Sequence, residues 1–266
     1  MLALKYILLL ALLVIFTGPF FWLLSIALRA SGNIYSMKLI PENPTLVNFT
    51  ETWTKFELGT PFLNSVIVAA ITVTMNVFLC SLAAYPLARL NFPGKQVVFF
   101  LILATLMIPF QLFMIPLFLT CRALGLVNSL WGIILPGSVG AFGIFLIRQY
   151  YKTIPDSLEE AARIDGAGEF SIWWRIMFPL TKPAIATLAI FIFVTNWSSF
   201  LWPLIIVENE QKYTMPVAIA KLSGTFIDKT QYMAAGSVIA IAPVIIIFLL
   251  MQRYFISGIN LGAVKG

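Results

Sequence analysis

Six apolar runs, each long enough to cross a lipid bilayer, constrain this chain more than anything else in it. They cover roughly residues 6–28, 62–87, 97–119, 130–150, 183–207 and 233–255. A hydrocarbon core about 30 Å thick takes about 20 residues of helix, and only helices or closed barrels satisfy their backbone polar groups there. The pattern therefore predicts an all-α, polytopic membrane protein of six helices in a single domain over residues 1–266. Composition agrees: 60% of residues are hydrophobic, 11% are charged, and mean hydropathy is +0.95. The first run follows Lys5 and is too long for the 7–15-residue core of a signal peptide, so it reads as a retained span.

The net charge of +6 fits excess Lys and Arg in loops on the inner side of a membrane, and no nucleic acid is needed to explain it. With the N-terminus inside, the inner segments hold Lys5, Arg89, Lys95, Arg148, Lys152, Arg163, Arg175, Lys182, Arg253 and Lys265. The outer ones hold Arg29, Lys38, Lys55, Arg122, Lys212, Lys221 and Lys229. Six spans then leave both termini in the cytoplasm. Long outer loops are expected at 29–61 and 208–232.

Several chemistries are excluded. The chain has no His, so histidine metal sites, proton relays and Ser-His triads cannot form. No G-x-x-x-x-G-K-[ST] occurs, so ATP cannot bind through a P-loop. Cys80 and Cys121 lie in or beside different apolar runs and are not expected to form a disulfide. The span interiors lack Lys, Arg, Asp and Glu, which argues against an ion-driven secondary transporter. No carboxylate pair within the spans supports a membrane enzyme.

Prolines interrupt most spans. Met107-Ile108-Pro109 and Ile115-Pro116 predict a helix bent twice, of the kind that lines a pathway. Polar amides in spans need partners, which makes Asn64, Asn76, Gln111 and Asn196 either helix-helix contacts or pathway residues. Among aromatics of the fifth run, Phe193, Trp197, Phe200 and Trp202 could stack on sugar faces or simply pack.

A polar island, roughly residues 148–182, separates the fourth and fifth runs. Pro155 fixes its entry. Ser157-Leu158-Glu159-Glu160 fits a capping box, and the helix should stop at Gly166. Leu158, Ala161, Ala162 and Asp165 recur at three- and four-residue spacing, so they should share a face on which small side chains admit a partner's backbone. Glu160 offers that partner a charge. From these residues alone, a helix lying on the membrane surface remains open. A second short helix is expected from about Glu169 to Ile176, ended by Pro179.

Glu160-Ala161-Ala162, three residues, Gly166, nine residues, then Ile176-Met177-Phe178-Pro179 resembles the E-A-A loop of ABC importer permeases. Phe178 replaces the usual Leu. Gln252 to Gly258, Gly262-Ala263-Val264-Lys265-Gly266 and Asn196-Trp197-Ser198-Ser199-Phe200-Leu201-Trp202-Pro203-Leu204 are similar to segments of the maltose-type, carbohydrate-uptake subfamily. The last of these segments has Ser where Glu is often found.

The resemblance implies a non-catalytic permease subunit in a bacterial inner membrane, forming half of a translocation pathway. Its partners would be a second homologous permease, two ATPase subunits holding ATP and Mg, and an extracytoplasmic solute-binding protein. The loop at 151–182 would couple to an ATPase through Ser157, Leu158, Glu160, Ala161, Ala162, Asp165, Gly166 and Ala167. The tail, Gly262, Ala263, Val264, Lys265 and Gly266, would point toward the same subunit. Candidate pathway residues are Asn196, Trp197, Phe200, Gln111 and Asn76. A span interior without cations favours a neutral sugar, oligosaccharide or polyol over a glycerol phosphate.

Overall fold

The computed structural model describes residues 2–30, 39–41, 43–225 and 230–263, and the described residues are predominantly helical. Among the described residues, four helices are long and apolar enough to cross a membrane, and six if each of two bent pairs counts as one span. The first, α1 (Leu2–Ala27), is apolar on every side, and most of it is exposed. An apolar face left bare in this way belongs against lipid, which satisfies it as well as a protein core does.

The centre is α3 (Gly59–Arg89), which packs against α7 (Ala141–Tyr151) and α11 (Lys182–Trp197). The last helix, α14 (Thr230–Ala263), packs on α1, α11 and α2 (Val47–Lys55). Small residues let the central helices approach closely. A Cβ on Gly143 would stand 2.8 Å from Cys80 Sγ and 3.1 Å from Asn76 Oδ1. Both cysteines are free and buried.

The outer segments carry more structure than loops. α2 lies within 29–61, and Asn48 Nδ2 ties it to α1 by donating to the Ala27 and Arg29 carbonyls at 2.8 Å each. α13 (Met215–Thr225) lies within 208–232. Asn64 Nδ2 donates to the carbonyls of Gln211 (2.8 Å) and Tyr213 (3.0 Å), so this amide is a helix-to-loop tie.

The prolines divide into breakers and passengers. α4 (Lys95–Ala104), extended by a 3-10 turn to Met107, meets α5 (Phe110–Ala123) at 104°. Ile108 is extended there, as the residue before a proline must tend to be. The second proline does not break the helix: Pro116 lies inside a continuous α5, at the cost of one bond in the ladder.

Pro179 likewise does not end its helix. The sequence Glu169–Leu180 is helical throughout, as α9 (Glu169–Ile172), a π turn (Trp173–Met177) and α10 (Phe178–Leu180). The widened turn already displaces the carbonyl register, so a residue without N–H is tolerated just beyond it. The break falls at Thr181, whose hydroxyl donates to the Met177 carbonyl at 2.6 Å, and α11 leaves at 77°. The fifth apolar run itself breaks at Ser198–Phe200 before α12 (Leu201–Ile206). The fourth run is α6 (Leu130–Gly137) followed by α7.

Candidate functional site

The polar island forms α8 (Ser157–Ile164), and its location is fixed by ions rather than by a cap. The expected capping box does not form. Asp156 is the N-cap and its side chain makes no cap hydrogen bond, because its carboxylate pairs with Arg89 at the end of α3. Arg89 Nη2 also donates to the carbonyls of Tyr151 (2.6 Å) and Ile154. Its Nε stands 2.8 Å from Glu159 Oε1, near enough to pair as ions though off-line for a hydrogen bond. Glu159 is 2% exposed.

The second Glu159 oxygen lies 3.2 Å from Arg163 Nη2, and Arg163 Nε reaches Glu169 Oε1 at 2.8 Å. Tyr85 of α3 closes the ring by donating to Glu169 Oε2 at 2.6 Å. Burial raises the Glu159 carboxyl above the usual carboxylate range, against the opposing pull of Arg89 and Arg163. Alongside, Trp173 Nε1 donates to Ser81 Oγ at 3.1 Å, and Ser81 shares a 2.6 Å hydrogen bond with Tyr151. The loop is thus tied to α3 through Arg89, Tyr85 and Ser81.

Clamping one face of α8 leaves the other bare. Ile164 is 87% exposed and Leu158 43%, with Ser157, Glu160, Ala161 and Asp165 also exposed. Ala162 is not on that face: it is buried, because the turn that presents Glu159 to Arg89 carries residue 162 inward with it. Gly166 holds φ +80°, and the Ala167 N–H closes back on the Ala162 carbonyl at 2.9 Å, a Schellman-type stop. Arg89, Glu159 and Glu169 carry the geometry, and sequence reasoning assigned none of them a site role. Arg89 lies 67 residues before Asp156, and spacing along the chain gives no sign of that meeting.

A cleft of about 590 Å³ opens between α3, α5, α6, α11 and α12. It is lined by Asn76, Gln111, Asn196 and Phe200, together with Thr72 and Trp202 among others, and no lining side chain is charged. Asn76 Nδ2 donates to the Gly137 carbonyl at 3.0 Å. Among the described residues, the Asn196 and Gln111 amides have no hydrogen-bond partner within the chain. Trp197 does not line this cleft. It is buried, stacks on Phe193 and donates Nε1 to the Ala240 carbonyl at 2.8 Å. Of the tail, Gly262 and Ala263 end the α14 backbone, while Val264, Lys265 and Gly266 lie outside the described residues.

An apolar helical bundle with an uncharged polar cleft and a clamped, projecting helix is a membrane transport subunit. The chain belongs to the family of binding-protein-dependent transport system inner membrane components, whose match spans residues 76–260. It is 36% identical to the arabinooligosaccharides transport system permease protein AraQ of Bacillus subtilis, over 98% of this chain and 94% of that one. It is 35% identical to the melibiose/raffinose/stachyose import permease protein MelC of the same organism, over 93% and 91%. The fold matches a crystal structure of a bacterial ABC transporter involved in the import of the acidic polysaccharide alginate. There the TM-score is 0.81 and the identity 27%, over 95% of each chain.

Proposed function

We propose that this chain is the membrane-spanning permease of an ATP-driven importer for a neutral sugar or oligosaccharide. The observation that carries the reading is α8, held by buried ion pairs on one face and presenting Ile164 and Leu158 bare on the other. An exposed apolar plug on a rigid mount is what a separate engine could grip. In this reading both termini are cytoplasmic, and two ATPase subunits hold ATP and Mg. A second homologous permease supplies the other half of the pathway, and an extracytoplasmic binding protein delivers the solute. The sugar permeases among the relatives, and a cleft in which the Asn196 and Gln111 amides lack a partner within the chain and no lining side chain is charged, support a neutral polyhydroxy ligand over a glycerol phosphate.

Reconstitution in proteoliposomes with the partner subunits tests this. Uptake of a neutral oligosaccharide should require ATP and survive a protonophore, and glycerol 3-phosphate should not be taken up. Uptake that collapses with the proton gradient and ignores ATP would mean a secondary transporter instead. Within the same assay, Ile164→Asp should lower uptake several-fold and weaken ATPase retention on purification, because an interface anchor is lost. Asn196→Leu should slow uptake about fivefold, the worth of roughly one hydrogen bond of about 1 kcal/mol, while ATP hydrolysis stimulated by the loaded binding protein persists. Equal loss of both activities would place Asn196 in folding rather than in the pathway.

A further inference from the structure

Three spans interrupt their helical backbone around one place. Lys95–Met107 and Phe110–Ala123 are nearly equal halves of one bent span. The span Leu130–Tyr151 is interrupted near its middle, between Gly137 and Ala141. The fifth apolar run is broken at Ser198–Phe200. Phe110 and Gln111 from the first break, Val139 and Gly140 from the second, and Ser199 and Phe200 from the third all line the cleft of about 590 Å³. Non-helical backbone at membrane depth leaves polar groups that lipid cannot satisfy, so it persists where it borders a cavity.

Side chains at this junction are short of partners too. Thr72 of α3 lines the cleft at 1% exposure, and among the described residues its hydroxyl has no hydrogen-bond partner. A Cβ added at Gly137 would stand 3.0 Å from Thr72 Cγ2 and 3.9 Å from Asn196 Nδ2. The glycine therefore keeps open a gap on which Thr72 and the Asn196 amide converge. A buried hydroxyl left unpaired is costly, and a hydroxyl supplied by a ligand would relieve that cost. Phe110 and Phe200 present exposed apolar rings to the same cleft. Trp202 packs against Phe110 at 6.0 Å and 86°, and is itself fixed by its bond to the Gly132 carbonyl.

These groups select a ligand class. Hydroxyl and amide groups beside open aromatic rings, with no charge among them, fit a ring that carries hydroxyls on its edge and C–H bonds on its face. We propose that this chain itself holds the solute at the junction of its interrupted spans: Phe110 and Phe200 lie on the C–H face of one sugar ring, while Thr72, Gln111 and Asn196 take its hydroxyls. Such a contact rests on the importer reading above, and it puts solute recognition in this subunit rather than in the partner permease alone.

The test uses the assembled transporter in proteoliposomes, with raffinose, maltotriose and arabinotriose as probes. Uptake is read beside the ATP hydrolysis stimulated by the loaded binding protein. Phe110→Ala should lower uptake of the best-transported sugar about tenfold, and Phe110→Tyr, which keeps the ring, should recover most of that loss. Thr72→Val keeps the shape and drops the hydroxyl. It should lower uptake about fivefold, yet melt no lower than the parent, because an unpaired buried hydroxyl has been removed. Stimulated ATP hydrolysis should persist in Phe110→Ala and Thr72→Val, so less sugar moves per ATP. Should Phe110→Ala fail to assemble with the partner permease, Thr72→Val alone decides. Unchanged uptake in either variant, or equal loss of uptake and hydrolysis, would overturn the proposal and leave the importer reading standing. ATP-driven uptake of none of the three sugars by the parent would overturn the neutral-oligosaccharide reading, and this contact with it.

Discussion

Arg89→Met should reduce ATP-driven uptake at least tenfold while the transmembrane bundle stays folded. The Arg89 side chain is 8% exposed and Glu159 is 3% exposed at the side chain. Removing one partner of such a pair strands the other charge in a dry site, which costs about 3–5 kcal/mol. Arg163 still reaches Glu159 at 3.2 Å but is 40% exposed, so its hold is screened and the loss sits toward the lower end of that range. The Tyr151 and Ile154 carbonyls lose their donor in the same substitution. An eight-residue helix has little stability of its own, so α8 depends on this mount.

The effect should stay local. The apolar cluster around Leu58, Val68, Ile134 and Met215 shares no residue with the clamp, so melting of the bundle should shift only modestly. A second variant separates lost charge balance from lost packing. Arg89→Met/Glu159→Leu removes both ions, and replacing a buried pair by apolar groups is often neutral or better. It should recover much of the stability and part of the uptake, a coupling read directly as a double-mutant cycle. Uptake within twofold of the parent for Arg89→Met would show that α8 does not need the clamp.

Why the sequence predicts some of this and not the rest follows from which forces are local. The apolar runs are legible because hydrocarbon thickness imposes a length on any helix that crosses it. Pro109 is legible as a break because proline restricts its own predecessor. Pro116 and Pro179 are not, because whether a missing N–H ends a helix depends on neighbouring turns and on a π turn that no local pattern announces. Gly166 as the stop of α8 is a backbone property and could be read directly.

The face of α8 could not be read so simply. Ala161 and Ala162 look alike in sequence, yet one is exposed and the other buried, since adjacent helical residues point about 100° apart. What selects the inward one is Glu159, and what selects Glu159 is an arginine on another helix. The residues of the cleft show the same division. The rule that a span amide needs a partner brought Asn76, Gln111 and Asn196 forward, and all three line the cleft. Choosing among tryptophans required knowing that Trp197 turns toward the Ala240 carbonyl, while Trp202 reaches the Gly132 carbonyl at the cleft wall.

That wall carries the other large expected effect: Gly132→Ala should destabilise the chain by about 3 kcal/mol, at the upper end of what overpacking costs. A Cβ there would stand 2.4 Å from the Leu126 carbonyl oxygen and 2.9 Å from Ile206 Cγ1. The first of these is backbone, with little room to yield. Leu126 N–H donates to the Cys121 carbonyl at 2.8 Å, and Asn128 N–H donates to the Ile206 carbonyl at 2.7 Å, so the loop is tied at both ends. Pushing α6 away instead would stretch the 3.0 Å bond from Trp202 Nε1 to the Gly132 carbonyl, and an unsatisfied buried donor costs about 1–3 kcal/mol.

Gly236→Ala on α14 is the matched comparison. Its added Cβ would meet Leu222 and Thr52 side chains no closer than 3.5 Å, an ordinary contact. Replacing a helix-interior glycine there should be neutral or gain up to about 1 kcal/mol. Thermal unfolding in the same detergent should therefore show Gly132→Ala melting below the parent and Gly236→Ala melting at or above it. Because Gly132 borders the cleft wall through Trp202, any Gly132→Ala protein that remains folded should also show slowed oligosaccharide uptake. Equal melting temperatures for the two variants would mean that the α5–α6 turn gives way freely, and the close packing assigned to this wall would be wrong.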